Sequence, residues 1–151
     1  QFAILLGDAW TRAGRPQKAA RAYDTVDVIE RLLAAAGVRT ELQTALFDLD
    51  RGHRVEDALR RARAAYAAAP SVVAADAVAW GLQRTGRCAE ARGWSAKALA
   101  LGTRDGLMLF HRGLIERCLG DEAKARGWLR SALAADPVFS LRWGPIAEQV
   151  A

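Results

Sequence analysis

Apolar residues recur along this chain at three- and four-residue intervals, and glycine, proline and short polar residues interrupt them at regular points. That pattern marks amphipathic helices joined by tight turns. It predicts helices over 2–13, 16–36, 41–52, 55–69, 72–85, 88–101, 104–119 and 122–135, with a short one near 145–151. Pro16 suits a first helical position, and Thr40 followed by Gln43 reads as a capping box. Gly37 and Gly102 suit the left-handed residue past a helix end. Thr103 and Asp121 are placed to accept hydrogen bonds from free N–H groups at helix starts. On the helix after Thr103, Leu107, Phe110, Leu114 and Cys118 form one stripe with His111 and Ile115.

The strongest signal is self-similarity. Ala91-Arg92-Gly93-Trp94 returns as Ala125-Arg126-Gly127-Trp128, and Ala98-Leu99 returns as Ala132-Leu133, each 34 residues on. Gly86 and Gly120 keep the same spacing. A period of 34 with helix-turn-helix punctuation belongs to helical repeats. Small Ala at 19, 58, 91 and 125 would let paired helices approach closely, with Leu, Tyr and Trp filling the space between pairs.

On these residues the chain resembles the tetratricopeptide repeat (TPR) family. Its first repeat matches through Leu6, Gly7, Trp10, Gly14, Ala19 and Tyr23, and its second through Ala58, Ala62, Ala65 and Pro70. The third carries Val78, Ala79, Leu82, Gly86, Ala91 and Ala98, and the fourth Gly113, Gly120, Ala125, Leu129, Ala132 and Pro137. Ala79-Trp80, Leu101-Gly102-Thr103-Arg104-Asp105 and Pro137-Val138-Phe139-Ser140 are similar to bacterial TPR-repeat proteins. Two departures stand out: Thr103 replaces the usual Pro, and Arg112 and Glu116 occupy positions that are normally apolar. The resemblance implies an all-α chain, a right-handed α-solenoid of about four antiparallel helix pairs with a short C-terminal capping helix. It divides a single domain, 1–151, into repeats at about 1–37, 40–70, 71–103 and 105–138, with a cap at 139–151. The long helix from 16 to 36 sets the first pair apart from the rest.

Composition agrees with that reading. The 151 residues fit one domain. Hydrophobic residues make up 52%, led by Ala and Leu, and aromatics only 7%. The net charge of +5 and pI of 9.9 come almost wholly from Arg, with Lys only at 18, 97 and 124. Arg offers a planar fork for carboxylates or phosphates, yet the same charges serve as solvated helix faces. No block of Lys and Arg suggests a nucleic-acid arm, so nucleic acid is not the expected partner. No apolar run is long enough for a membrane, and a cytoplasmic setting is the expectation. The chain starts inside a repeat without an initiator Met, and Gln1 opens into a helix, which reads as a segment of a longer protein without a visible signal peptide.

Candidate chemistry is sparse. Cys88 and Cys118 read as small buried hydrophobes, since two cysteines make neither a disulfide scaffold nor a four-Cys zinc site. His53 reads as a solvated turn residue and His111 as a satisfied core histidine. The pairs Asp48/Asp50 and Asp121/Glu122 suit capping and dipole roles. No spacing for a metal, cofactor or catalytic residue emerges, so neither enzyme nor cofactor is expected.

Function is then sought on a surface. The resemblance implies a concave groove lined by the first helix of each repeat, which binds an extended peptide. Its central position falls on Asp8, Phe47, Trp80 and Leu114, with Arg12, Arg51 and Arg84 one turn further on and Arg117 beside Cys118. Asp76 and Phe110 complete the candidate partner-binding set. An apolar row beside an arginine row suits a protein or peptide with hydrophobic side chains and acidic or carboxylate groups. The alternative for the same rows is internal coverage and salt bridges to Asp8, Asp50 or Asp76. The clamp for acidic chaperone tails is absent, because its positions hold Ile4, Asp8, Thr44, Val73 and Ala77. The stripe with Phe110 is expected to be an exposed partner or self-association surface, with the tail capping the stack end outside the groove. Trp94 and Trp128 offer a further surface for a homo-oligomer. The leading expectation is a non-enzymatic interaction module; the second is a sensing or regulatory scaffold of a larger protein, such as a transcription regulator.

Overall fold

In the computed structural model, residues 2–38 and 40–151 are described; Gln1 and Arg39, and with them the start of the first expected repeat, lie outside the described residues. The described residues form nine helices and no strand: α1 (Phe2–Arg12), α2 (Pro16–Ala35), α3 (Glu41–Arg51), α4 (Val55–Ala68), α5 (Val72–Arg84), α6 (Cys88–Leu99), α7 (Gly106–Cys118), α8 (Glu122–Ala135) and α9 (Gly144–Val150). Each expected helix is present, with ends shifted by a residue or two. Pro16 occupies the first position of α2, and Gly37 and Gly102 take the left-handed conformation at φ 73° and 74°.

The helix starts follow different side chains from those expected in two places. Ser71, Asp105 and Asp121 accept hydrogen bonds from the backbone N–H groups of Ala74, Met108 and Lys124 at 3.1, 3.0 and 3.0 Å. Asp105 therefore caps α7, not Thr103, because the helix begins at Gly106 rather than 104. Thr40 precedes α3 with φ −125° and ψ 13° and makes no side-chain cap bond, so the capping box with Gln43 does not form.

Consecutive helices pack in pairs, α1 on α2, α3 on α4, α5 on α6 and α7 on α8. Pairs join through α4 on α5, α6 on α7, α3 on α5 and α5 on α7. Ala19, Ala58, Ala91 and Ala125, the small residues expected between paired helices, are all buried. At Gly7 and Gly113 a Cβ would lie 2.1 Å from the Tyr23 ring and 2.8 Å from Leu129, so close helix packing accounts for both glycines. Space around Gly93 and Gly127 is open, and packing gives no account of them. Centrally placed α5 is buried on all sides, from Ala74 through Leu82. Neither α1 nor α2 comes as close to α3 as the later pairs come to each other. An open cleft of about 440 Å³ lies there, lined by Glu30, Arg31, Ala34, Val38 and Thr44 among others. The first pair is set apart, as its long second helix suggested.

Two groups expected elsewhere are structural. Glu116 is fully buried on α7, clamped by Arg112 (Nε to Oε1, 2.8 Å) and by Arg92 of α6 (Nε to Oε1, 3.1 Å). Burial alone would raise its pKa; the two guanidinium groups outweigh that and lower it. This is how a carboxylate occupies a normally apolar position. Cys88 and Cys118 are joined in a disulfide between the start of α6 and the end of α7, which corrects the reading of both as plain buried hydrophobes. Equal helical neighbourhoods hid the fact that the antiparallel packing of α6 on α7 places 88 beside 118, with Cα atoms 6.1 Å apart. Disulfides persist in oxidising surroundings, and a reducing cytoplasm would leave both residues as thiols.

The bridge closes a loop with a sequence separation of 30. On chain-entropy grounds, Cys118→Ser or reduction should lower stability by about 3–4 kcal/mol. Urea midpoints of the oxidised chain with and without a dithiol measure this; a difference within error would show that the bridge does not form in solution.

Candidate functional site

The inner ends of α1, α3, α5 and α7 face a segment that sequence patterning placed elsewhere. After α8, residues 136–143 turn back across these helices before α9 packs on α8. The turn is shaped by Ser140, whose Oγ accepts from the backbone N–H groups of Arg142 and Trp143 at 3.2 and 3.1 Å. This presents Arg142 and Trp143 together toward the helices.

Asp50, on the last turn of α3, receives them. Its Oδ1 accepts the indole N–H of Trp143 at 3.0 Å and that of Trp80 at 3.0 Å. Its backbone carbonyl accepts Arg142 Nε at 3.0 Å. Arg142 Nη1 also lies 3.5 Å from Asp8 Oδ1 on α1, which accepts the Tyr23 hydroxyl at 2.7 Å. The Trp143 ring meets Trp80 edge-on and lies nearly parallel to Phe110, both with centroids 5.6 Å away. Phe139 adds a tilted contact to Phe110 at 5.6 Å. Burial pushes the Asp50 carboxyl up from its usual range, although His111, the two indoles and Arg142 each pull it down.

Beneath Trp80 lies a second buried polar group. His111 on α7 is fully buried and stacks on Trp80 at 4.3 Å. Its Nδ1 is 2.9 Å from Asp76 Oδ2 on α5. The other two atoms of this pair, His111 Nε2 and Asp76 Oδ1, are buried without a hydrogen-bond partner among the described residues. His111 is thus a core histidine satisfied on one side only. Burial alone lowers its pKa; the charge and hydrogen bond of Asp76, with the charges of Asp50 and Asp105, outweigh that and raise it.

Against this geometry the expected site residues divide. Phe47, Asp76, Trp80 and Phe110 are buried, at 4%, 4%, 0% and 0% exposure, so they do not form an open apolar row. Phe110 is covered by Trp143 and Phe139, and the tail packs across Trp80 of α5 and Phe110 of α7 instead of only capping the stack end. Of the expected exposed stripe, Phe110, His111 and Ile115 are buried, Leu107 and Leu114 half-buried and Cys118 exposed, so its centre is core and needs no slip of helix register. Leu114 is half-buried between the two main clusters of the core. Asp8 is engaged by Tyr23 and Arg142.

The arginine row is split as well. Arg51 lies over Tyr23 and Phe47, at 4.3 and 4.8 Å from the ring centroids. Arg84 is exposed, 5.4 Å from the centre of the Trp80 ring. Arg117 is exposed, 3.5 Å from Glu122. Arg12 is exposed at the edge of an open cleft of about 340 Å³ between α1 and the tail, whose wall includes Leu141, Trp143 and Ile146.

Asp50, Arg142 and Trp143 were missed as site residues. Asp50 had been grouped with Asp48 as a capping pair, a reading the structure corrects for both. Asp48 is buried and holds the α3–α4 turn through His53 Nδ1 at 3.1 Å, Arg54 Nη2 at 3.2 Å and Arg61. His53 is thus exposed in its turn as expected, with this one partner. The available signal was a basic–aromatic pair in the tail and an acid one turn past Phe47, but 92 or 93 residues separate them.

No group of acidic, His and Cys side chains among the described residues is arranged to hold a metal ion. No described helix is long and apolar enough to cross a membrane. Compared with family models, curated proteins and solved structures, the chain matches none.

Two outcomes follow from the Asp50 and His111 contacts. Asp50→Asn keeps an acceptor oxygen and should cost little, whereas Asp50→Leu strands two indole N–H groups and should cost about 2–5 kcal/mol. Chemical denaturation of the two variants distinguishes them; equal stabilities would remove the bridge from any structural role. The His111 contribution to stability is fully present below its ordinary pKa of 6.5 and is lost as pH rises through the higher folded value. Stability should therefore fall as pH rises above 6.5, and His111→Asn should flatten that slope. An unchanged pH profile in the variant would refute the assignment.

Proposed function

We propose that the chain is a non-enzymatic interaction module, a TPR-like right-handed solenoid of four helix pairs and a C-terminal cap, whose concave face takes a short segment of a protein partner. The pairwise packing of α1 through α8 and the 34-residue spacing of the shared motif support the architecture. One observation carries the function: the inner helices already hold a polypeptide segment, residues 139–143, by side-chain and main-chain contacts. A face that seats its own chain through indole and guanidinium groups has what recognition of a linear segment requires: an aromatic anchor and directed polar partners.

This reading changes the expected ligand chemistry. The acceptors on the face are Asp8 and Asp50, and the four arginines once taken as a row are dispersed over ring faces, an ion pair and the rim. Donor-bearing aromatic and basic side chains suit the inner surface better than an acidic peptide. Arg12 and Arg84, both exposed, border it.

Random peptides panned against the full chain carrying Arg142→Ala, followed by amide chemical-shift mapping, test the proposal. Recovered peptides should perturb Asp8, Asp50 and Trp80. Failure to recover any binder, or perturbations confined to α2, α4, α6 and α8, would reject the concave face as the interaction surface.

A further inference from the structure

We infer that the concave face is selective for an arginine–aromatic dipeptide carried on a tight turn, and that the chain's own Arg142-Trp143 is a competing copy of that ligand. The inference rests on the concave face being the interaction surface, and it specifies the partner and the control of access.

The two tail residues are read at each of their functional groups. The guanidinium divides between the Asp50 carbonyl, 3.0 Å from Nε, and the Asp8 carboxylate, 3.5 Å from Nη1. Lysine, with one point of charge, cannot span an acceptor on α3 and another on α1 in this way. The indole N–H reaches Asp50 Oδ1 at 3.0 Å while its ring contacts Trp80 and Phe110. Phenylalanine would fill the ring space and leave Asp50 with one donor fewer. Ser140 fixes the turn so that both side chains point the same way.

The seat is also largely preformed by the helices. Asp50 is already oriented by the Trp80 indole, Trp80 by its stack on His111, and Asp8 by the Tyr23 hydroxyl. None of these contacts involves the tail. A segment of another protein with the same Arg-aromatic turn would find every acceptor in place. It must displace the tethered copy, whose local concentration is set by the short connection after α8. External affinity is then reduced by the fraction of molecules with the tail seated.

The test is a fluorescent peptide of residues 137–151 titrated into the 151-residue wild-type chain and its Arg142→Ala and Trp143→Ala variants. The expected result is binding at least tenfold tighter to either variant than to wild type, weakened when Asp8→Asn is added to Arg142→Ala. A peptide with Arg and Trp replaced by Ala should not bind. Arg142→Ala removes the tail's ties to Asp8 and to the Asp50 carbonyl and so loosens the tethered copy while keeping Trp143 in the chain, which lets it report even where Trp143→Ala is too unstable. Equal affinity for wild type and Arg142→Ala, or equal binding of the substituted peptide, would overturn the inference. If panning recovers groove binders that lack an Arg-aromatic pair while this peptide fails, the selectivity is wrong and the interaction module stands. If both fail, the interaction surface itself is wrong.

Discussion

A single carboxylate accepting two indole N–H groups organises the centre of this molecule. Asp50 is drawn into an apolar setting where an isolated charge would be costly, and Trp80 and Trp143 supply directed donors there. Around that point the aromatic rings fall into place. Trp80 lies between the His111 ring on one face and the Trp143 edge, and Phe110 closes the other side of Trp143. The helices contribute the shape of the core, but the polar bridge decides which rings meet.

The N-terminal pair depends on the same centre. Its backbone stands off from α3, and its ties run through side chains: Tyr23 against Phe47, Arg51 over both rings, and Arg142 between Asp8 and Asp50. At the other end, the disulfide and the Glu116 clamp lock α6 to α7. The molecule is thus firmly joined from the third pair onward and more loosely at the first, with Arg142 reaching across the difference.

Local features were legible in the sequence because they depend on local spacing. The nine helices among the described residues, the left-handed Gly37 and Gly102 and the Asp121 cap all follow from residues within a few positions of each other. The candidate site was not legible in that way. Phe47, Trp80 and Phe110 sit at positions that a bare row of helices would expose, and covering them took a segment whose Trp143 lies 93 residues beyond Asp50. Periodicity also cannot tell a carboxylate that caps a helix from one buried among side-chain donors; Asp48 holds His53, Arg54 and Arg61, and Asp50, two residues on, receives two indoles. The disulfide was hidden for the same reason, since helical pattern gives the face of a residue but not which distant residue shares it.

The path of Arg142 and Trp143 has a consequence for how the chain comes apart and together. A stack in which each helix pair touches only its neighbours loses structure from its ends, pair by pair. Here Arg142 and Trp143, which follow α8, fasten onto α1 and α3. Until they do, Asp50 has the Trp80 indole but not that of Trp143. With the tail seated, loosening α1 breaks a contact to Arg142, and loosening the tail breaks contacts to α1 and α3, so distant helices open together rather than independently.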